Sequence, residues 1–311
     1  MKFELTVLGS NSAIPAHGRK LSAQLLNIKD ELVLIDCGEG TLLQMFAYHI
    51  KYSKINHIFI SHLHGDHIFG LVGLLTTYGL NRRKKTLNIY GPDGLDLIIN
   101  VQLKLTETKL SYELVFHRTD PQQSTIVLDT PKFTVQTIPL LHRVPCNGYL
   151  FREKNQQRRI NKSLIDHYDV PFTKISAIKE GADYTTPKGE VVTHQQLTLD
   201  PLPERSYAYC SDTMYTESIL KLIEGIDLLY HEATFLHELL DKAQKTMHST
   251  ALQAASIAKQ SKVKQLLIGH FSSRYQTPEV LEKEAQTIFL NTEAVQEGKT
   301  YPVGVEPILF K

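Results

Sequence analysis

The sequence predicts a layered α/β fold, on two observations. Short apolar runs of strand length recur at residues 3–8, 31–35, 55–60, 87–90, 132–139, 205–209, 226–230 and 264–268, with helix-like stretches between them. Side chains that ligate metals then follow four of those runs: His62, His64, Asp66 and His67 after the third, His142 after residues 132–139, Asp212 after 205–209 and His270 after 264–268. Groups so far apart in sequence, all at strand ends, gather at one mouth when strands lie side by side in layers.

The densest cluster is Ser61-His62-Leu63-His64-Gly65-Asp66-His67. His62 and His64 are two apart, so on an extended segment they point the same way and can grip one ion. Asp66 and His67 follow a glycine that permits a sharp turn and open an apolar, helix-like stretch at 68–75, so they can face a second position. Imidazole nitrogen with carboxylate oxygen suits zinc best among common metals, with manganese or iron as alternatives. The pattern reads as a two-metal site, not as a histidine-rich surface loop.

The remaining elements follow in order. Residues 3–8 alternate as a strand, and Gly9 opens a loop that runs to Lys20. The strand at 31–35 ends in Asp36, and residues 41–49 read as a helix. His49 and His57 lack a partner at ligand spacing and read as structural, as does His117 further on. Arg82, Arg83, Lys84 and Lys85 form a short basic cluster in a solvated turn. Gly91-Pro92-Asp93-Gly94 turns from the strand at 87–90 into a helix ending near residue 105. Residues 132–139 alternate as a half-buried strand does and deliver His142. Asp212, at the end of the strand at 205–209, is placed to bridge two ions, one carboxylate oxygen to each. The strand at 226–230 leads into His231-Glu232-Ala233-Thr234, and Ser249 or Thr250 caps a helix at 251–259. A helix at 278–289 and a strand near 303–309 complete the chain.

Composition narrows the function classes. With 42% hydrophobic and 22% charged residues, the 311-residue chain is ordinary globular protein with ample core. No apolar run approaches the roughly 20 residues of a membrane span, and the first ten residues lack an apolar core of secretory length. Cys37, Cys146 and Cys210 are odd in number and scattered, which fits a reducing cytoplasm and packing roles. A net charge of +1 excludes coating nucleic acid by charge alone. Positive charge is concentrated in one place: residues 152–162 carry five basic residues against one acidic. They open the polar stretch 151–197, the part least like a compact core.

Five motifs together carry a resemblance: "FISHLHGDHIFGLVGLL" from Phe59, "DCGEGTLLQM" from Asp36, "YGPDGL" from Tyr90, "HEATF" from His231 and "GHFSSRY" from Gly269. The first alone resembles the metallo-β-lactamase superfamily. The set resembles the ribonuclease Z family of tRNA 3′-processing endonucleases, over nearly the whole chain. The resemblance implies one metallo-β-lactamase domain over residues 1–311, a sandwich of two mixed β-sheets flanked by helices, with residues 151–197 inserted as a protruding, flexible tRNA-binding arm. It implies two zinc ions per subunit, with Mn2+ or Fe2+ possible: one on His62, His64 and His142, the other on Asp66, His67 and His270, bridged by Asp212. Asp36 would orient a metal-binding histidine.

The resemblance further implies hydrolysis of precursor tRNA 3′ of the discriminator base, leaving 3′-hydroxyl on the tRNA and 5′-phosphate on the trailer. Asp66 would double as base, and His248, positioned by Glu232, would serve the leaving 3′ oxygen. Ser272, Ser273 and Arg274 would contact phosphate. Arg152, Arg158 and Arg159 would grip tRNA from the arm, sequence-blind. Arg19 belongs to the loop that reads a CCA end in this family. There the chain departs from the P-x-K-x-R-N motif, with His17 for the lysine and Lys20 for the asparagine, and the arm lacks the Gly-Pro tip of many members. A homodimer is implied by the resemblance alone. The alternative is a phosphodiesterase or arylsulfatase of the same superfamily acting on small molecules, which needs neither arm nor tRNA-reading loop.

Overall fold

A computed structural model describes residues 2–154 and 157–304. Strands β1 (Phe3–Gly9), β2 (Ala23–Ile28), β3 (Glu31–Ile35), β4 (Ile55–Phe59), β5 (Leu87–Gly91), β6 (Leu114–Arg118), β7 (Ile126–Asp129), β8 (Phe133–Pro139) and β9 (Asn147–Glu153) come first. Four two-residue strands follow, β10 (Arg159–Ile160), β11 (Tyr184–Thr185), β12 (Val191–Val192) and β13 (Thr198–Leu199). Then come β14 (Ser206–Cys210), β15 (Leu228–Glu232), β16 (Gln265–Gly269), β17 (Thr292–Ala294) and β18 (Thr300–Pro302). Among the described residues the chain divides into two compact units, one formed by residues up to 152 and from 205 to 304, the other by residues 153–204.

The larger unit contains two seven-stranded sheets, ordered β18-β1-β2-β3-β4-β5-β6 and β17-β16-β15-β14-β9-β8-β7. Both are mixed: β3 to β6 run parallel while β1 and β2 are antiparallel, and β14 to β17 run parallel while β9 is antiparallel to β14. Strand pleating explains the layers. Phe3, Leu5, Val7, Leu26, Ile28, Val33, Ile35 and Phe59 point into a core shared with Val135, Tyr149, Phe151 and Tyr207 of the other sheet. Their neighbours Leu8, Leu25, Leu34 and Ile58 point the other way, onto helices Thr41–Ala47, Leu71–Leu80 and Leu95–Leu105. Phe59 joins the sheets through edge contacts with Tyr149 and Phe151, at 5.0 and 5.5 Å between ring centroids. Helices Ala251–Gln260 and Glu279–Gln286 place Ala254, Ala258, Leu281 and Ala285 against the second sheet. Thr250, not Ser249, caps the former, with Gln253 completing a capping box.

Two expectations are adjusted. The stretch at 68–75 is not one helix but the junction of Gly65–Ile68 and Leu71–Leu80. Gly70 separates them because its N–H donates to the Cys37 carbonyl at 2.9 Å, an approach so close that a Cβ there would collide with the Gly38 carbonyl. The last described strand is β18 at Thr300–Pro302, and residues 305–309 of the strand expected near 303–309 lie outside the described residues. Cys37, Cys146 and Cys210 are free and buried. No helix among the described residues is long and apolar enough to cross a membrane.

The smaller unit has its own core of Val170, Ile178, Tyr184, Val192 and Leu197 under short helices, with β10 paired to β13 and β11 to β12. Its start differs from the expected residue 151 because β9 continues as regular strand through Glu153, which leaves Arg152 in the large sheet.

Candidate metal centre

The parallel pair β3 and β4 sets down Asp36 and the 61–67 loop side by side. Asp36 is fully buried, in the left-handed backbone region at φ 55°. Its Oδ1 accepts from the Ser61 N–H at 2.7 Å, and its Oδ2 accepts from the Ser61 hydroxyl at 2.8 Å and from His67 Nδ1–H at 2.7 Å. That last bond fixes the ring orientation, so Nε2 of His67 points away from Asp36, into the site.

The same device recurs around the mouth. His62 Nδ1 lies 3.0 Å from the Ser61 hydroxyl, His142 Nδ1–H donates to the Met247 carbonyl at 2.9 Å, and His270 Nδ1 lies 3.0 Å from the Thr234 hydroxyl. In each case Nε2 is left facing inward. His270, directly after β16, shares with Asp36 the left-handed conformation, at φ 59°. Both side chains are aimed by backbone that a non-glycine residue rarely adopts, a form of strain that collects at functional sites.

The inward nitrogens form two groups. His62 Nε2 and His142 Nε2 lie 3.0 and 3.3 Å from His64 Nδ1. His67 Nε2 and His270 Nε2 each lie 3.5 Å from Asp66 Oδ2. Asp212, at the end of β14, stands between them. Its Oδ2 is 3.6 Å from His62 and 3.8 Å from His142, and its Oδ1 is 3.3 Å from His67 and 3.1 Å from His270. Ligands on tetrahedral zinc at about 2.0–2.1 Å lie about 3.3 Å apart, so these separations fit ligand sets. His67 Nε2 and His270 Nε2 are buried without a hydrogen-bond partner, as metal ligands are. The cluster therefore suits metal.

The electrostatics agree. Burial opposes charge on His67, but Asp212, Asp66 and Asp36 outweigh it and hold the imidazole well above its ordinary range. Burial likewise opposes charge on Asp66 and Asp212, yet surrounding histidines hold both carboxyls well below the usual range. Burial and then neighbouring imidazoles keep His62 low, and burial keeps His64 and His142 low, ready to offer lone pairs. The field favours a cation where the two groups meet.

Residues 3–151 match a family model described as Anti-Pycsar protein Apyc1. Over 297 residues the chain is 46% identical to ribonuclease Z of Bacteroides fragilis, covering 96% of this chain and 98% of that one. The chain belongs to the ribonuclease Z family. Among solved structures it is similar to the human short form of tRNase Z, with a TM-score of 0.71 and 28% identity over 97% of this chain and 100% of that one. It is also similar to the metallo-β-lactamase fold protein YhfI of Bacillus subtilis, with a TM-score of 0.66 and 23% identity over 97% and 99%. The two-sheet architecture is the metallo-β-lactamase fold.

Beside the candidate ligand groups lies another buried acid. Glu232, at the end of β15, accepts through Oε1 from His248 Nδ1–H at 2.8 Å and Thr213 N–H at 2.9 Å, and through Oε2 from the Thr234 hydroxyl at 2.6 Å. Burial works against charge on His248, but Glu232 outweighs it and the imidazole is pushed up to about 9. His248 Nδ1 is also 3.9 Å from Asp212 Oδ2.

Arg19 lies in the loop after β1 and turns inward. Its guanidinium donates to Asn11 Oδ1 and to the carbonyls of Tyr275 and Gln276 at 2.6–2.9 Å, while His17 Nε2 is 2.8 Å from the Ser273 carbonyl. The loop is thereby stitched to the segment carrying Ser272, Ser273 and Arg274, whose Nε donates to Ser272 Oγ at 3.1 Å. Ala13 N–H of the same loop donates to Asp66 Oδ2 at 2.8 Å. The other expected contacts are not in the metal cluster. Arg152 donates to the Leu222 carbonyl, while Arg158 pairs with Asp200 Oδ1 at 2.7 Å and Arg159 donates to the Asp200 carbonyl. His117, expected to be unliganded, bonds Asn88 at 2.8 Å and stacks on Tyr90.

Three groups at this candidate site lie outside every quoted motif, Tyr209, the Ala13 N–H and the Met247 carbonyl, while Ser61 and Thr234 sit inside motifs without a role assigned to them. Only Tyr209 had a usable signal, since it lies on the same face of its strand as Tyr207, three residues before Asp212.

Proposed function

We propose that the protein is a metal-dependent endoribonuclease that removes 3′ trailers from precursor tRNA, cutting 3′ of the discriminator base. One observation carries this reading: two ligand groups share Asp212, one oxygen toward each, with the Glu232–His248 pair beside them, in a chain of the ribonuclease Z family. His62, His64 and His142 would hold one zinc ion and Asp66, His67 and His270 the other, with Asp212 shared, and manganese or iron would be accepted by the same donors. When bound, a zinc pair supplies Lewis acidity, acidifying water toward a pKa of about 7 and neutralising charge on phosphoryl oxygens.

The chain's own residues do the rest. Asp66 takes the proton of the attacking water as the water oxygen bonds to phosphorus. The bond from phosphorus to the 3′ oxygen breaks, and His248, kept protonated by Glu232, donates its proton to that oxygen. Glu232 holds the imidazole in place through four accepted hydrogen bonds. The tRNA retains a 3′-hydroxyl and the trailer leaves with a 5′-phosphate.

Residues 153–204 serve as the tRNA arm in this reading, with Arg158 and Arg159 as phosphate contacts, while Arg152 belongs to the large sheet. Arg19 supports the CCA-reading loop from behind, and Ser272, Ser273 and Arg274 contact phosphate near the cut. A homodimer acting in the cytoplasm completes the proposal, on the family resemblance. Incubating the metal-loaded protein with a precursor tRNA, beside a chelated control, tests it: a metal-dependent cut after the discriminator base is the expected outcome.

A further inference from the structure

Phe235 follows the Glu232 turn and is 4% exposed, with its ring 6.3 Å from that of His248. Two cations lie over this one ring: the Arg274 guanidinium at 5.2 Å and the Lys242 ammonium at 5.8 Å from its centroid. Lys242 stands on the helix Leu240–Thr246 and Arg274 on the loop after His270, and both side chains are exposed. Neither lies within ion-pair distance of a carboxylate among the described residues, although Glu238 and Asp241 are close in sequence to Lys242. Two cations beside one buried phenyl ring put like charges on a shared patch. Attraction to the ring face holds them there. What satisfies both is an anion.

We propose that Lys242 and Arg274, on the Phe235 platform, form a binding site for one backbone phosphate of the RNA, the phosphate on the 5′ side of the nucleotide whose 3′ oxygen leaves. This rests on the reading of the protein as a tRNA 3′ endonuclease and assigns Lys242 a role in it. The position follows from His248. Its proton goes to the leaving oxygen, so the wall it shares with Phe235 faces the leaving nucleotide, and the next phosphate on that nucleotide is its own 5′ one. A planar guanidinium and a point-charge ammonium converging on one phosphate discriminate charge and position, not base identity.

The test is a cycle between protein and RNA. Wild type, Lys242→Gln and Lys242→Arg are compared on a precursor tRNA and on the same RNA carrying a single neutral methylphosphonate 5′ of the discriminator nucleotide, with metal content measured for each protein. Lys242→Gln should raise KM on the natural RNA about tenfold and lower the slope of log K against log salt by about 0.7, as expected when one single-strand phosphate is no longer neutralised. Lys242→Arg should restore most of the affinity, and metal content should not change. On the methylphosphonate RNA, wild type and Lys242→Gln should become equal. If Lys242→Gln matches wild type on natural RNA, or its defect persists in full on the methylphosphonate RNA, the assignment is overturned while the endonuclease reading stands. If wild type cuts no precursor tRNA, the endonuclease reading falls and this one with it.

Discussion

The Tyr209 hydroxyl and the Asp36 carboxylate come from opposite sheets and meet at 2.7 Å in the interior. Tyr209 thereby donates to the same Oδ2 that receives His67 Nδ1–H and the Ser61 hydroxyl. The second sheet thus supplies Asp212 to the candidate ligand groups and, three residues earlier, a clamp on the carboxylate that aims His67. Tyr209→Phe should therefore weaken metal binding about 10–100-fold, as removing such outer partners typically does. Tyr149 is equally buried, but its hydroxyl donates to the Ile60 carbonyl at 2.7 Å, so Tyr149→Phe is the matched control and should bind metal as wild type does. Competition titrations against a zinc chelator distinguish them, and equal losses in both variants would remove the assigned role of Tyr209.

His248 contacts Glu232 and sits at the edge of the metal groups. Replacing it with alanine should leave both ions bound and lower turnover about 10²–10⁴-fold, the range for a missing proton donor. Metal analysis of the purified variant together with single-turnover kinetics reads both quantities. Loss of an ion would reassign His248 as a ligand.

Zinc binding should release protons. In the metal-free protein His67 is held above its unfolded value of about 6.5 by Asp212, Asp66 and Asp36 against the effect of burial. Its charged form thus contributes stability that is fully present below that value and is lost as pH rises through the folded one. Metal must displace that proton, so apparent zinc affinity falls as pH falls, and binding near neutral pH releases about one proton from His67. Calorimetry in two buffers of different ionisation enthalpy measures the number. Binding without proton release would mean that His67 is already neutral.

Much of this site was legible from residue order. The cluster His62, His64, Asp66 and His67 was legible as a candidate ligand set because its members are local, and His142, Asp212 and His270 were marked by sitting behind apolar strands. Apart from Ser61, next to His62, the partners that aim them were not legible, because they are long-range: Tyr209 reaches Asp36 across the core, Met247 offers only a carbonyl, and Ala13 only an N–H. Gly70 broke the expected helix for a similar reason, since the backbone that crowds it, at Cys37 and Gly38, lies more than thirty residues away. Arg19 was legible as important, but its guanidinium faces its own chain, a direction that sequence spacing does not encode.

The proposed grip of the smaller unit on tRNA is testable. Arg158→Gln with Arg159→Gln should raise KM for precursor tRNA and flatten its salt dependence by up to about 0.9 for each phosphate left unneutralised, since arginine–phosphate pairing acts through counterion release. Both side chains also bond to Asp200, so circular dichroism should first establish that the variant folds. An unchanged salt slope would take these arginines out of tRNA binding.

The most direct measurement pairs two synthetic precursor tRNAs, one encoding CCA and one not, with metal-loaded protein and a chelated control. Cleavage after the discriminator base, abolished by chelation, is the expected result, and the ratio between the two substrates reports what His17 and Lys20 do in the loop that Arg19 holds. If neither tRNA is cut while bis-p-nitrophenyl phosphate is still hydrolysed, the metal centre stands and the protein is a small-molecule phosphodiesterase instead.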